Sequence, residues 1–393
     1  MNTRTSIGII GAGPAGLFLG LLLHEAGIQC TILENRSREY IEGRTRAGLL
    51  EQNTVDLMHH LKIGDRLHKE GLKHHGVNLS FEGCRIRVPF DELTGGRCIT
   101  IYGQQEVIKD LVNASLEKGI QIYFDAQAAT IQNINGNEAR IGYTMNGEEN
   151  LLTCDFIAGC DGYHGISRKS MPAGSFHEFV KEYPFSWLGI LAHAVPATGE
   201  LIYAYHENGF ALHSLRSHAV SRLYLQVSNN ANLNDWSDKR IWDELNVRLT
   251  DEQGFNVNRG EIFEKAITPM RSFMIDHMQS GRFFIAGDAA HIVPPTGGKG
   301  LNLAVADVRI LAAGFIAWYR KGEYDLLENY SQEALRRIWR AQDFSNFMTY
   351  LFHKQADHGS FDYHLQKARF NYIGQSKAMA TTIAENYVGL RNI

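Results

Sequence analysis

The chain has 393 residues, 44% of them hydrophobic and 21% charged, with a formal net charge of −4. That is enough chain for two sizeable cores or one large discontinuous core, in the composition of a soluble globular enzyme, and the charge balance gives no ground for nucleic acid or an anionic membrane as partner. Cys30, Cys84, Cys98, Cys154 and Cys160 make an odd count without a C-x-x-C pair, which argues against a disulfide framework or metal site and for reduced thiols in a cytoplasmic protein.

Residues 7–23 are almost free of polar side chains and have a signal-peptide look. Three glycines and a proline between Gly11 and Gly16, with no A-x-A-type cleavage site, favour a strand, a turn and a buried helix instead. The reading is strand over 6–10, turn over Gly11-Ala12-Gly13-Pro14-Ala15-Gly16, helix over 17–26 and strand over 29–33 ending in Glu34, a βαβ unit with parallel strands. A lone Gly-x-Gly-x-x-Gly is weak. Here it follows a strand, opens a helix and has an acid at the end of the second strand. The glycines then admit a pyrophosphate at the helix N-terminus, and Glu34 accepts hydrogen bonds from a ribose diol. A tight turn without a ligand is the plain alternative.

Next come two arginines on one side of an extended segment, Arg44-Thr45-Arg46-Ala47-Gly48. They suit cofactor phosphates or form a solvated basic loop. The pattern predicts one helix over 54–70, short alternating runs over 77–101, and a helix over 106–118. A β-meander over 120–157 is broken at Asn135-Gly136-Asn137 and Asn146-Gly147. A strand over 156–160 enters Asp161-Gly162, trailed by His164 and Arg168. Residues 181–266 alternate like a mostly antiparallel sheet with one helix at 236–249. Phe283-Phe284-Ile285 is a buried strand that runs out into Asp288 and the loop Pro294-Pro295-Thr296-Gly297-Gly298-Lys299-Gly300. A helix opens directly after it, pointing its free N–H groups and positive dipole end back into the loop. That suits a flat cofactor that becomes anionic. The rest of the chain reads as largely helical.

A Gly-x-Gly-x-x-Gly turn, an Asp-Gly segment and a Gly-Asp segment, in that order, resemble the single-component FAD-dependent aromatic hydroxylases. The likeness runs through Arg46-Ala47-Gly48, Leu50-Glu51-Gln52, Tyr102-Gly103-Gln104, Ile157 to Gly162, Tyr183-Pro184-Phe185, Glu200 to Ala204, Ser214 to Ser217, Ala286 to Asn302 and Ala384 to Leu390. It implies an α/β fold: a Rossmann-like, glutathione-reductase-like FAD-binding domain (1–72, 98–180, 267–349), an inserted mostly antiparallel substrate sheet (73–97, 181–266) and a helical C-terminal part (350–393).

The resemblance also implies the reaction. FAD is reduced by NADPH or NADH, and one oxygen atom of O2 goes onto 4-hydroxybenzoate beside its hydroxyl, giving 3,4-dihydroxybenzoate. Arg216 with Ser214 and Tyr224 matches a clamp for the substrate carboxylate, with Leu201 and Leu215 in the same pocket. Tyr203 takes the phenol hydrogen bond and relays to Tyr387, with His74 at the outer end; adjoining His75 leaves that last assignment open. The Pro295 carbonyl faces the substrate hydroxyl. FAD contacts fall on Gly11, Gly13, Ala15, Gly16, Glu34, Arg44, Thr45, Arg46, Ala47, Gly48, Leu49, Gln104, Asp161, Arg222, Asp288, Leu301 and Asn302. Arg36, Tyr40, Arg44, His164, Arg168 and Arg271 are the nicotinamide candidates. Asn35 stands where NADPH-preferring relatives commonly carry arginine, so the choice of nicotinamide is open. A homodimer without bound metal is expected. The rivals are a sister hydroxylase of another phenolic acid and a non-oxygenating FAD reductase.

Overall fold

The computed structural model describes residues 2–355 and 358–390. Asn2–Ile10 buries Ile7, Ile9 and Ile10 and pairs in parallel with Cys30–Leu33 and with Glu148–Gly159. Phe283–Ile285 and Gln121–Tyr123 extend this parallel sheet on either side. Ile10 lies beside both Leu33 and Gly159, and Gly159 beside Ile285. Four strands thus end level, and the loops from Gly11, Glu34, Cys160 and Ala286 open along one edge. The carboxyl edge of parallel strands is where open α/β sheets take nucleotides.

Three local expectations need correction. The first helix begins at Pro14, so the second half of the glycine turn is already helical. The helix expected over 54–70 is two, Gln52–His60 and Asp65–Glu70. The Lys62 N–H bonds the His59 carbonyl, the Ile63 N–H bonds that of Met58, and Lys62 takes φ 60°. That is a Schellman stop with lysine where glycine is usual, which removes the sequence signal. Finally, Gln121–Tyr123 joins the parallel sheet rather than the meander, and the strand expected over 156–160 is the end of the 12-residue strand Glu148–Gly159. That strand starts in the Asn146-Gly147 hairpin, where both residues have positive φ (54° and 78°) as a primed turn requires.

The second sheet has eight strands, in the order His291–Ile292, Glu261–Ile275, Glu178–His193, Ser221–Val227, Ala211–Leu215, Ile202–Tyr205, Gly76–Phe81, Cys84–Pro89. All neighbours are antiparallel except Ile202–Tyr205 with Gly76–Phe81. The pairing of Glu178–His193 with Glu261–Ile275 continues to Glu178 beside Ile275, so this sheet reaches past residues 180 and 267. Its central strands Ile202–Tyr205 and Ala211–Leu215 are buried on both faces. Ile202, Ala204 and Leu223 pack under the helix Asp238–Leu249, whereas Leu201, Tyr203, Tyr205 and Leu212 face the C-terminal helices. Those helices are Tyr330–Phe352, Phe361–Gln375 and Lys377–Val388. Gly300–Lys321 is long and apolar enough to span a membrane by length and composition; here it packs against Pro14–Glu25 and Tyr330–Phe352. His291–Ile292, just past Asp288, joins the second sheet and brings the two sheets together at the site.

Candidate active site

The glycine turn is shaped by close approach. Gly11 has φ 101°, and its N–H bonds the Leu33 carbonyl at 2.7 Å. A Cβ on Gly16 would lie 2.0 Å from the Gly11 carbonyl oxygen, and one on Gly48 1.9 Å from that of Tyr102. Gly13, by contrast, faces open space. The helix starting at Pro14 has no side-chain cap and no acid in its first turn. Its N–H groups and dipole are left for an anion. Ala15 is buried behind them. Glu34 accepts the Ala12 N–H at 2.7 Å and the Arg36 N–H at 2.9 Å. Burial raises its pKa, against the pull of those donors. Each carboxylate oxygen keeps a lone pair for a hydroxyl.

Asp161 receives the Ser167 N–H on Oδ2 at 3.0 Å, while buried Oδ1 has no protein partner. Burial raises its pKa. Arg46 and Asp288 meet at 3.8 Å across the opening, both half-exposed. Arg44, Thr45 and Ala47 flank Arg46 in the same loop. Asn302 is a staple: its amide carbonyl accepts the Glu51 N–H and the Thr54 hydroxyl, and its NH2 donates to the carbonyls of Leu49 and Gly298. It fixes the loop before Gly300–Lys321 against Leu49–Leu50, with Leu301 beside it. That long helix also starts without a side-chain cap or an acid. A cradle that a Cβ would fill, an orphaned buried carboxylate oxygen and two uncapped helix starts fit a dinucleotide with an anionic ring.

The substrate side is built by strand register. Tyr203 pairs with Leu212, Leu212 with Tyr224, and Ser214 with Arg222. Period-two alternation puts Leu201, Tyr203, Ser214, Arg222 and Tyr224 on one face. Leu215 lies on the other face by the same rule, so its side chain does not join them. Arg216 follows the strand end. Its Nη1 donates to the Arg46 carbonyl at 2.8 Å, Nη2 donates to Gln105 Oε1, and the guanidinium lies against Gly103. Burial and then the nearby Arg222 charge lower its pKa to about 10. Arg222 Nη1 is itself buried without a protein partner.

At the far end of this face, the Tyr203 hydroxyl accepts the Gly297 N–H at 3.3 Å. The Pro295 carbonyl accepts the Gly298 N–H at 3.0 Å and keeps one lone pair. The rings of Tyr203 and Tyr387 stand edge-on at 6.2 Å. Burial raises both tyrosine pKa values. The two hydroxyls interact with each other, which raises Tyr387 further after burial. Both ring nitrogens of His74 are buried without protein partners, so no direct hydrogen bond carries the expected relay from Tyr387 on to His74. Burial lowers the His74 pKa to about 4. His75 is exposed and pairs with Asp91 at 3.0 Å, so of the two histidines His74 is the inward one.

The nicotinamide candidates form two groups. The Arg36 guanidinium lies over the Tyr40 ring at 5.2 Å. Arg168 and Arg271 flank the Tyr163 ring at 4.4 and 3.9 Å, and His164 meets its edge. Sequence reading missed Tyr163 as the centre of that group, and Gln105 as the partner of Arg216: the pair Gln104-Gln105 offers no sign of which one turns inward. It also missed the buried pair His291–Asp307 (2.6 Å), behind the Gly287 N–H that Asp307 also accepts.

A family model described as FAD binding domain matches residues 4–345, and the chain belongs to that family, as a flavoprotein monooxygenase. Among its relatives, p-hydroxybenzoate hydroxylase of Acinetobacter baylyi (strain ATCC 33305 / BD413 / ADP1) is 44% identical over 387 residues, covering 98% of this chain and 96% of that protein. Pentachlorophenol 4-monooxygenase of Sphingobium chlorophenolicum is 23% identical, over 83% of this chain and 61% of its own. The crystal structure of p-nitrophenol 4-monooxygenase from Pseudomonas putida DLL-E4 shares the fold, with a TM-score of 0.85 over 100% of both chains at 17% identity.

Proposed function

We propose that this protein hydroxylates 4-hydroxybenzoate to 3,4-dihydroxybenzoate with O2 and NADPH or NADH. The observation that carries the reading is one sheet face with a cation at one end, Arg216, and a buried hydroxyl at the other, Tyr203, beside the loop from the cofactor edge. A cation and a hydroxyl at opposite ends of one face suit a benzoate with its phenol opposite the carboxylate. Bound FAD supplies the redox chemistry, taking electrons from the nicotinamide and activating O2.

The protein's part is to place the ring and move a proton. Arg216 stays protonated at neutral pH and gives the carboxylate a fixed, forked partner, with the hydroxyls of Ser214 and Tyr224 beside it. Tyr203 Oη has one lone pair on the Gly297 N–H. The other accepts the phenol proton, and its own hydrogen passes to Tyr387, whose hydroxyl has no competing partner. Because burial raises its pKa, Tyr203 works by passing a proton and not as a standing phenolate. Neutral His74 is the onward acceptor. Before that transfer, the free lone pair of the Pro295 carbonyl is the alternative acceptor for the same substrate O–H.

A homodimer in a reducing, cytoplasmic setting belongs to the same reading; five free cysteines support the second part. Coupled turnover across a panel of hydroxybenzoates, with each nicotinamide, tests the proposal. Product formed in step with nicotinamide oxidation is expected for 4-hydroxybenzoate. Coupling with a different hydroxybenzoate alone would assign a sister activity, and nicotinamide oxidation without oxygenation would assign a reductase.

A further inference from the structure

His353 lies just past the helix Tyr330–Phe352, fully buried, with its ring between Phe185 (4.4 Å, 12°) and Phe210 (4.3 Å, 23°). Nε2 is 2.6 Å from the Trp187 indole nitrogen and Nδ1 is 2.8 Å from the Thr349 carbonyl. An indole N–H can only donate and a carbonyl can only accept. One tautomer satisfies both: Nε2 accepts from Trp187 and Nδ1–H donates to Thr349. A protonated ring would set an N–H against the indole N–H.

Both ends of this link lead to the proposed pocket. The Trp187 ring packs on Tyr224 at 4.7 Å, and Gly189 leaves room for the Tyr224 ring, since a Cβ there would lie 3.2 Å from it. Thr349 Oγ1 is 2.9 Å from Thr296 Oγ1, in the loop between Pro295 and Gly297. The Tyr224 wall and the Pro295–Gly297 loop therefore hang from one turn of one helix.

We propose that His353 is a positioning residue for hydroxylation: through Trp187 and Thr349 it fixes the spacing between the wall that holds the substrate carboxylate and the loop that meets its hydroxyl. The inference rests on the proposed reaction. His353→Asn keeps a donor toward Thr349 and loses the acceptor for Trp187; His353→Gln restores an acceptor near the Nε2 position and gives up the side-chain donor, with the Thr349 carbonyl still held by the His353 backbone N–H at 3.1 Å; Trp187→Phe removes the donor and keeps a ring. In the FAD-loaded enzyme, His353→Asn is expected to raise the 4-hydroxybenzoate Kd, read from the change in the flavin spectrum, about 10-fold. Product per nicotinamide should fall several-fold as peroxide release rises. His353→Gln should stay within about 2-fold of the parent, and Trp187→Phe should match His353→Asn. The double variant Trp187→Phe/His353→Asn should be no worse than either single one, since both cut the same link. Parent-like affinity and coupling in His353→Asn, equal defects in Asn and Gln variants, or additive defects in the double variant would overturn the proposal. If His353→Asn does not fold, Trp187→Phe decides alone: unchanged coupling overturns it. A parent enzyme that couples only another hydroxybenzoate overturns the substrate reading instead, and the same variants are then read with that acid.

Discussion

Tyr203, Arg216 and a set of buried histidines carry the residue-scale consequences. Tyr203→Phe removes only the hydroxyl that stands between substrate and Tyr387. Loss of a positioned proton acceptor costs about 100-fold or more in the step it serves. Hydroxylated product per nicotinamide should fall accordingly, while substrate Kd changes by less than about 10-fold; undiminished product would remove the relay. Arg216→Lys keeps the charge and loses the fork, so it should bind 4-hydroxybenzoate at least about 10-fold more weakly in a titration of the flavin spectrum. The third prediction concerns pH. Burial lowers His74 and His213 to about 4 and His353 to about 3. These groups bind protons less readily folded than unfolded, so their stability contribution is complete above the ordinary histidine pKa near 6.5 and is lost as pH falls from there toward 4. Each should withdraw on the order of 2 kcal/mol between pH 7 and pH 5, seen as a falling midpoint in urea titrations. A flat profile over that range would contradict their buried neutral state.

At the scale of elements, the glycine turn separates shape from binding. Gly16→Ala puts a methyl against a backbone carbonyl at 2.0 Å and should destabilise the first βαβ unit by about 2 kcal/mol or more. Gly13→Ala meets no protein atom and should fold with normal stability, yet bind FAD at least about 10-fold more weakly, because its methyl enters the space left for the pyrophosphate. Thermal melts with and without added FAD distinguish the two. This turn was legible in the sequence because three glycines, a proline and Glu34 all serve one local geometry. The break at Lys62 was not: its stop is made by backbone hydrogen bonds to His59 and Met58, with a residue type that gives no warning. The place of Gln121–Tyr123 was hidden for a related reason, since three residues carry no sign of which strand they join.

Across the whole molecule, the C-terminal helix is tied to the site by a buried charge cluster. Lys299 Nζ meets Glu51 at 2.8 Å and donates to the carbonyls of Asn386 and Tyr387, and Glu51 also meets Arg337 at 2.9 Å. This holds the end of Lys377–Val388, and Tyr387 with it, against the glycine loop before Gly300–Lys321. Glu51→Gln leaves buried cations short of their counter-charge and should cost about 3–5 kcal/mol. Hydrogen exchange in Lys377–Val388 should speed up more than in the parallel sheet, and equal protection in both would refute the tie.

The sequence alone determined the parallel nucleotide unit, the order of the cofactor loops and the hydroxyl and cation candidates. The first two depend on local periodicity, on glycines at forced geometries and on motif order, all written within short stretches of chain; the candidates came with the family resemblance that those motifs carry. Only the tertiary structure decided that Leu215 turns away, that Gln105 and the Arg46 carbonyl hold Arg216, that His74 is the inward histidine and that His353 joins two walls of the pocket. These facts arise where segments far apart in the chain meet, and a hydrogen bond or ring stack across such a distance leaves no periodic trace in either segment.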